Sequence, residues 1–287
     1  MQLSMLRFGK LLTSEQPQSL NFEIKEFFPT SVFTKISPFG KLRKWAAYVD
    51  KYLLFPQRLK RELTIRKDPS HLIHIIDHSN ATYLSKLTRM TQAKKIITCH
   101  DLIAIRTAKG DFGQSPKTSK TGKRLQNWIL DSLRHADYYA CDSKQTLIDL
   151  NRLIPQSKEK SSVLHLGTET DLTSISVREN LSKKLPFDPL NTRFLLHVGS
   201  AAWYKNRKAA LFSFIHARRS LPEYDLKLVL VGPEPQNEEL DEHLSNWIKS
   251  HPSAIFSLQN LPEKVLAELY KNARALVFPS FIEGFGW

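Results

Sequence analysis

Two short stretches of the chain carry the residue types that phosphate and sugar chemistry needs. In the first, the apolar run through His197 and Val198 closes on Gly199, and Lys205, Arg207 and Lys208 follow shortly after. A glycine at a strand end lets the backbone approach a ligand closely. A helix opening just beyond it offers free N–H groups and the positive end of its dipole to a phosphate. A diphosphate held there meets the Lys205 ammonium as well. By spacing alone, a solvated basic helix start accounts for the same residues equally well. In the second stretch, a run ending at Phe278-Pro279-Ser280 is followed by Glu283, Gly284, Phe285 and Gly286. One carboxylate accepts hydrogen bonds from two sugar hydroxyls, and glycine amides can donate to others. The four-residue pattern Glu-Gly-Phe-Gly is too short to be decisive on its own.

Other reactive residue types have plainer readings. His100 ends an apolar run and precedes Asp101, so spacing favours a strand-end histidine bonded to its neighbour. Cys99 beside it suggests a Cys/His nucleophile, yet Ile97 and Thr98 alternate as in a buried strand, which makes the thiol structural. His71, His74 and His78 stand at i, i+3 and i+7, a spacing that cannot share one face of a strand, so no metal site is expected. Asp142-Ser143 also ends a strand, with Ser143 placed to cap the next helix.

Ligands of open α/β sheets bind past the carboxyl ends of the strands, so these residues need parallel βαβ units to hold them. The pattern supplies them: short apolar β-rich runs alternate with amphipathic helical stretches. Strands are predicted at 72–77, 95–100, 138–143 and 162–166, with helices at 81–90, 123–136 and 144–153. A second series has strands at 194–198, 227–231, 254–258 and 275–279, with helices at 207–219, 238–249 and 263–273. The polar, aperiodic stretch 169–192 reads as a linker between a domain of residues 1–168 and one of residues 193–287. Residues 1–13 carry Leu3, Leu6, Leu11 and Leu12 at helical spacing where a doubly wound domain opens with a strand, so the first domain is expected to lack its first strand. The second is expected to be cut short at Trp287.

Composition sets the outer bounds. The 287 residues include 41% hydrophobic and 24% charged side chains, which fits a globular chain with a sizeable core. Two cysteines, Cys99 and Cys141, build neither a disulfide framework nor a four-ligand zinc site and fit a reducing compartment. No apolar run reaches the roughly 20 residues of a membrane span, so a cytoplasmic protein is expected. The net charge of +14 is unevenly placed: residues 192–287 hold 11 Lys+Arg against 10 Asp+Glu, leaving 31 against 18 in residues 1–191. It concentrates between Lys35 and Lys67, interleaved with Phe39, Trp45, Tyr48, Tyr52 and Phe55. Such a stretch suits an anionic membrane surface, a nucleic-acid backbone, or a merely solvated face. No nucleic-acid motif accompanies it, so none is expected as a partner.

Taken in order, FLLHVGSAAWYKNRKAALFSF, KLVLVGPEP and LPEKVLAELYKNARALVFPSFIEGFGW resemble the donor domain of the retaining glycosyltransferases of the family-four, group-one type. IIDHS, ITCHDL and CDSKQTLIDL resemble that family's acceptor domain. The fold class implied is α/β, two Rossmann-like domains facing a cleft in the GT-B arrangement, both incomplete here. By this resemblance Lys205 neutralises the donor diphosphate, and Glu283 holds the transferred sugar with Gly284, Phe285 and Gly286. His100 reaches that sugar as a catalytic partner of Glu283. Many members place an arginine directly after the glycine; this chain has Ser200 there, so Arg207 or Lys208 must supply a second cation beside Gly199. His78 and Asp101 are the acceptor-side candidates. The family's second glutamate falls eight residues past Glu283, beyond Trp287. The resemblance implies transfer with retention from a nucleotide-diphosphate sugar to a saccharide or lipid-linked acceptor, in cell-surface or exopolysaccharide assembly, without metal or cofactor. The basic half would sit peripherally on the inner face of the membrane. Two other readings stay open: a catalytically inert fragment of such an enzyme, and a basic nucleic-acid-binding α/β protein.

Overall fold

A computed structural model of the chain describes residues 3–14, 23–36, 41–65, 71–167, 185–235 and 240–286. It divides into two compact units, one of Met1–Gly113, Lys117–Gly167 and Gly284–Trp287, the other of Gln114–Pro116 and Thr168–Glu283.

The first unit opens with helices α1 (Leu3–Ser14), α2 (Phe33–Ile36), α3 (Lys41–Val49) and α4 (Phe55–Ile65), the last two joined by a π-helical turn at Asp50–Leu54. Strands β1 (Leu72–Ile75), β2 (Lys94–Cys99), β3 (Tyr138–Cys141) and β4 (Ser161–Val163) follow, interleaved with α5 (Leu84–Met90), α6 (Ile103–Lys109), α7 (Lys120–Leu133) and α8 (Lys144–Leu153). The strands form one parallel sheet in the order β1-β2-β3-β4. Parallel strands covered on both faces are largely apolar where they are buried. Accordingly Ile97, Leu84, Leu133 and Leu150 are fully buried in one cluster with Phe55 and Leu59 of α4. Serine caps set the helix starts: Ser119 Oγ accepts from Gly122 N, and Ser143 Oγ accepts from Thr146 N at 3.1 Å, as the sequence suggests for Ser143. The helix expected at 81–90 begins instead as a 3-10 turn, His78–Tyr83, because the Asp77 carboxylate accepts from Ser79 N and tightens that turn.

The second unit contains β5 (Phe194–Val198), α9 (Arg207–Ser220), β6 (Lys227–Val231), α10 (Glu242–Ser250), β7 (Ile255–Leu258), α11 (Glu263–Asn272) and β8 (Ala275–Leu276). All pairings are parallel and the order is β7-β6-β5-β8. The chain therefore winds outward from β5 in both directions, and the strand order reverses between β5 and β8, the kind of switch point past whose carboxyl ends open α/β sheets bind ligands. Phe214, Leu211, Leu244 and Trp247 fill one face of the sheet. Phe194, Leu196, Val229, Val265 and Leu269 fill the other, joined by Leu185 and Phe187 from the far end of the expected linker, most of which (168–184) lies outside the described residues. Gly232, at the exit of β6, has φ +142° and a Cβ there would stand 1.9 Å from the Gly199 carbonyl oxygen. Only glycine lets these two exits lie together.

Candidate functional site

At the reversal in the second unit, two strand exits are stapled to each other. The His197 ring donates from Nδ1 to the Val277 carbonyl at 2.9 Å, Asn206 Nδ2 donates to the Pro279 carbonyl at 3.0 Å, and Phe281 N donates to the Tyr204 carbonyl at 2.8 Å. Asn206 caps α9 in a left-handed conformation (φ +52°), which turns the chain sharply between Lys205 and the helix. Asparagine tolerates that region better than most residues. The staples carry Glu283 to Lys205, whose Nζ lies 2.8 and 2.9 Å from the two carboxylate oxygens. The rings of Tyr204 and Phe278 stand 5.9 and 5.5 Å from the same nitrogen, within cation–π range. Trp203 and Phe281 stack alongside at 6.2 Å with a 28° interplanar angle. An ammonium and a carboxylate are thus held together at the strand-order reversal, the place where α/β sheets take ligands.

The other cations near β5 are engaged elsewhere. Arg207, 2% exposed, donates from its guanidinium to the carbonyls of Pro233 and Glu234 and so ties α9 to the loop after β6. Lys208 pairs with Asp241 at 2.9 Å. Gly199 N bonds the Val231 carbonyl at 2.9 Å, so that amide completes the sheet. Sequence spacing groups Gly199, Lys205 and Arg207; the structure brings Lys205 to Glu283 and turns the Arg207 head to a loop.

In the first unit His100 lies past β2 and both ring nitrogens are engaged, Nε2 with the Ile76 carbonyl at 2.8 Å and Nδ1 with Asp142 Oδ2 at 3.1 Å. The partner is Asp142, at the end of β3, rather than adjacent Asp101. A carbonyl only accepts, so Nε2 carries a proton, and the carboxylate at Nδ1 favours a second one. Burial pulls the His100 pKa down, but the bonds to Asp142 and Ile76 and the charges of Asp142 and Asp77 outweigh it and raise it. His74 moves the opposite way, lowered by burial and then by His100. Asp101 instead caps the turn into α6, accepting from Ile103 N at 3.0 Å. His78 is buried; its Nδ1 has no hydrogen-bond partner among the described residues and stands 3.6 Å from Asp77 Oδ1. The Cys99 thiol is pushed well up by its bond to Cys141 and by burial, which keeps it protonated, in keeping with a structural role. Gly284, Phe285 and Gly286 group with this unit, where the Phe285 ring lies 6.1 Å from that of His165. Among the described residues, no group of three or more His, Cys, Asp or Glu could hold a metal ion.

The basic stretch forms a distinct surface of the first unit. Its π-turn admits an extra residue, so Ala46 and Asp50 face inward while Ile36, Leu42, Trp45 and Leu53 are 76, 63, 68 and 58% exposed. Asp50 accepts from the backbone N–H groups of Val32, Phe33 and Thr34, fixing α2 beside α3. Tyr83 and Lys86 donate to the Lys51 and Tyr52 carbonyls around the turn. Arg43, Arg58, Lys60 and Arg61 are exposed along the same helices; Arg66 and Lys67 lie outside the described residues. Among the described residues, no helix is long and apolar enough to cross a membrane.

Residues 177–287 match the family of glycosyl transferases group 1. The serotype-specific mannosyltransferase WbdA of Escherichia coli is 28% identical over 172 residues, 55% of this chain and 20% of that protein. Among solved structures, an alpha,alpha-trehalose-phosphate synthase (UDP-forming) from Burkholderia xenovorans, in complex with glucose-6-phosphate, superposes with a TM-score of 0.59 at 10% identity. The match covers 88% of this chain and 61% of that one. Sucrose-phosphate synthase from Thermosynechococcus elongatus gives 0.57 at 19% identity, covering 80% of this chain and 55% of that one. The fold class is that of these GT-B glycosyltransferases, and the chain spans 20–23% of the length of its WbdA relatives.

Proposed function

With residues 177–287 a glycosyl transferases group 1 segment on a fold of the GT-B class, we propose that the chain moves a hexosyl group from a nucleotide-diphosphate sugar to a saccharide or lipid-linked acceptor. The observation that carries this reading is the Lys205–Glu283 juxtaposition at the β5/β8 reversal. In the reaction the bond from sugar C1 to the diphosphate oxygen breaks, its electron pair leaving with the diphosphate. The acceptor hydroxyl oxygen bonds C1 on the same face, and its proton passes to the departing phosphate oxygen. Lys205 stabilises the charge that builds on the leaving group, Glu283 fixes the sugar through its hydroxyls, and the backbone of Gly284, Phe285 and Gly286 is assigned to the same sugar. No enzyme nucleophile, metal or cofactor is needed, so a chelator leaves turnover unchanged. His100 is assigned to the donor sugar, and His78 and Asp101 are assigned to the acceptor side.

The reading is tested by nucleoside-diphosphate release from a panel of nucleotide sugars, with Lys205→Met and Glu283→Gln as controls. We expect both variants to lose at least about a hundredfold in kcat/KM, the scale of removing one preorganised charge. Turnover indifferent to both substitutions overturns the assignment. Anomeric configuration of the product, read by NMR, tests retention. Similarity to a serotype-specific mannosyltransferase supports a role in polysaccharide assembly, which we extend to the cell surface, and the exposed Ile36, Leu42, Trp45 and Leu53 with their flanking cations suit peripheral docking on an anionic inner membrane face. Salt-sensitive binding to anionic vesicles, weakened by neutralising Arg58, Lys60 and Arg61, supports that placement; equal binding to neutral vesicles sinks it.

A further inference from the structure

Lys205 and Glu283 are the two groups assigned to opposite halves of the donor, and in this structure they bind each other. Both carboxylate oxygens lie within 2.9 Å of one ammonium, the side chains are only 15 and 20% exposed, and two aromatic rings flank the cation. A pair so sheltered is screened less by water than an open surface pair. Parting it leaves two desolvated ions, each needing a new partner.

We infer that the pair is a specificity device that favours the intact nucleotide sugar over either of its halves. The inference rests on the donor-site reading above. A complete donor replaces both lost contacts at once, its diphosphate meeting Lys205 and its sugar hydroxyls meeting Glu283. A bare nucleoside diphosphate satisfies the ammonium but strands the carboxylate beside two phosphates, where like charges repel. A free sugar does the reverse. The same logic orders the end of the cycle: once the glycosyl group has gone to the acceptor, Glu283 loses its hydroxyl partners, recaptures Lys205 and weakens the hold on the product. The staples through Asn206, His197 and Phe281 keep the two groups at bonding distance, so the exchange needs only side-chain movement.

The test is the affinity of the 287-residue protein for bare UDP and GDP, measured by calorimetry with wild type, Glu283→Gln, Glu283→Ala, Lys205→Met and the Glu283→Gln/Lys205→Met double variant. Circular dichroism is matched to wild type before titration, and the alanine variant stands in if the glutamine one fails to fold. Removing the carboxylate is expected to tighten binding of the bare nucleotide by about fivefold to tenfold, the scale of a partly sheltered ion pair. Without Lys205 that gain is expected to vanish. As a second measurement, acetylation of Lys205 followed by peptide mass spectrometry is expected to run faster once Glu283 is neutral. Wild-type binding with no tightening in either Glu283 variant overturns the inference and leaves the donor site standing. Tightening that persists without Lys205 does the same. If no form binds a nucleotide, the donor-site reading falls and takes the inference with it.

Discussion

Asp142→Asn isolates the charge that fixes His100. In the wild type the imidazole Nδ1 faces Asp142 Oδ2 at 3.1 Å while Nε2 is held by the Ile76 carbonyl, and Asp142 is almost fully buried. A hydrogen bond to a charged partner contributes about 1.5–3 kcal/mol, a neutral one about 0.5–1.5 kcal/mol. Asparagine can donate to a neutral Nδ1 and can still accept from Thr146 Oγ1, which lies 3.3 Å from Asp142 Oδ1. The substitution therefore exchanges a charged bond for a neutral one and should cost about 1–2 kcal/mol where His100 is protonated. The sign with pH follows from the raised pKa of the folded ring. Its stabilisation is fully present below the unfolded value of about 6.5 and fades as pH rises through the higher folded value. Above that, the wild-type carboxylate faces a lone pair and the variant loses nothing by comparison. Hydrogen exchange of peptides covering β2 and β3, read near pH 6 and near pH 9 and corrected for intrinsic rates, reports this unit alone. A penalty that is the same at both pH values, or larger at the alkaline one, refutes the imidazolium account.

Three further outcomes are expected. Gly232→Ala, which drives a methyl group to 1.9 Å from the Gly199 carbonyl in a backbone region closed to alanine, should destabilise the second unit by about 3 kcal/mol; urea unfolding checks it, and a loss below 1 kcal/mol, on the ordinary scale of glycine replacement, contradicts the crowding. Phe214→Ala empties a fully buried site between α9 and the sheet and should cost about 3–5 kcal/mol in the same assay. Ser143→Ala removes the cap on α8, at a cost of about 1 kcal/mol, seen as faster exchange at Lys144–Leu147 and not in α9.

Strands β5 and β6 and helix α8 were legible to the residue, because each strand is apolar but for one residue, His197 in β5 and Lys227 in β6, and the helix is a capped amphipathic stretch. Strand β8 pairs over only Ala275–Leu276; the expected extension to 279 departs because the Val277 carbonyl turns to His197 and the Pro279 carbonyl to Asn206. Helices α3 and α4 escaped the pattern for a different reason. The π-turn inserts a residue and shifts the apolar phase midway, and Pro56 reads as a breaker although it sits in the first turn of α4, where no helical N–H is required. Helix α6, with its Ile103-Ala104-Ile105 start, looks like a strand until Gly110 caps it. At the site, residue types were readable and partners were not. Lys205 and Glu283 lie 78 residues apart, and His100 and Asp142 lie 42 apart. Only the parallel packing of strands makes either pair neighbours, which also explains why Arg207, two residues from Lys205 in sequence, serves a loop instead.

The π-turn at Asp50–Leu54 also makes chain length a rotary control. An α-helix advances about 100° per residue, whereas the wider π-turn advances less, so its five residues wind about as far as four α-helical ones. Deleting one residue here is expected to leave Leu42 and Trp45 on the face they occupy now, with the loss falling on the bulge that brings Asp50 to Val32–Thr34. Adding one more, with no second bulge to absorb it, swings α3 by about 100° against α4 and changes which surface the chain presents.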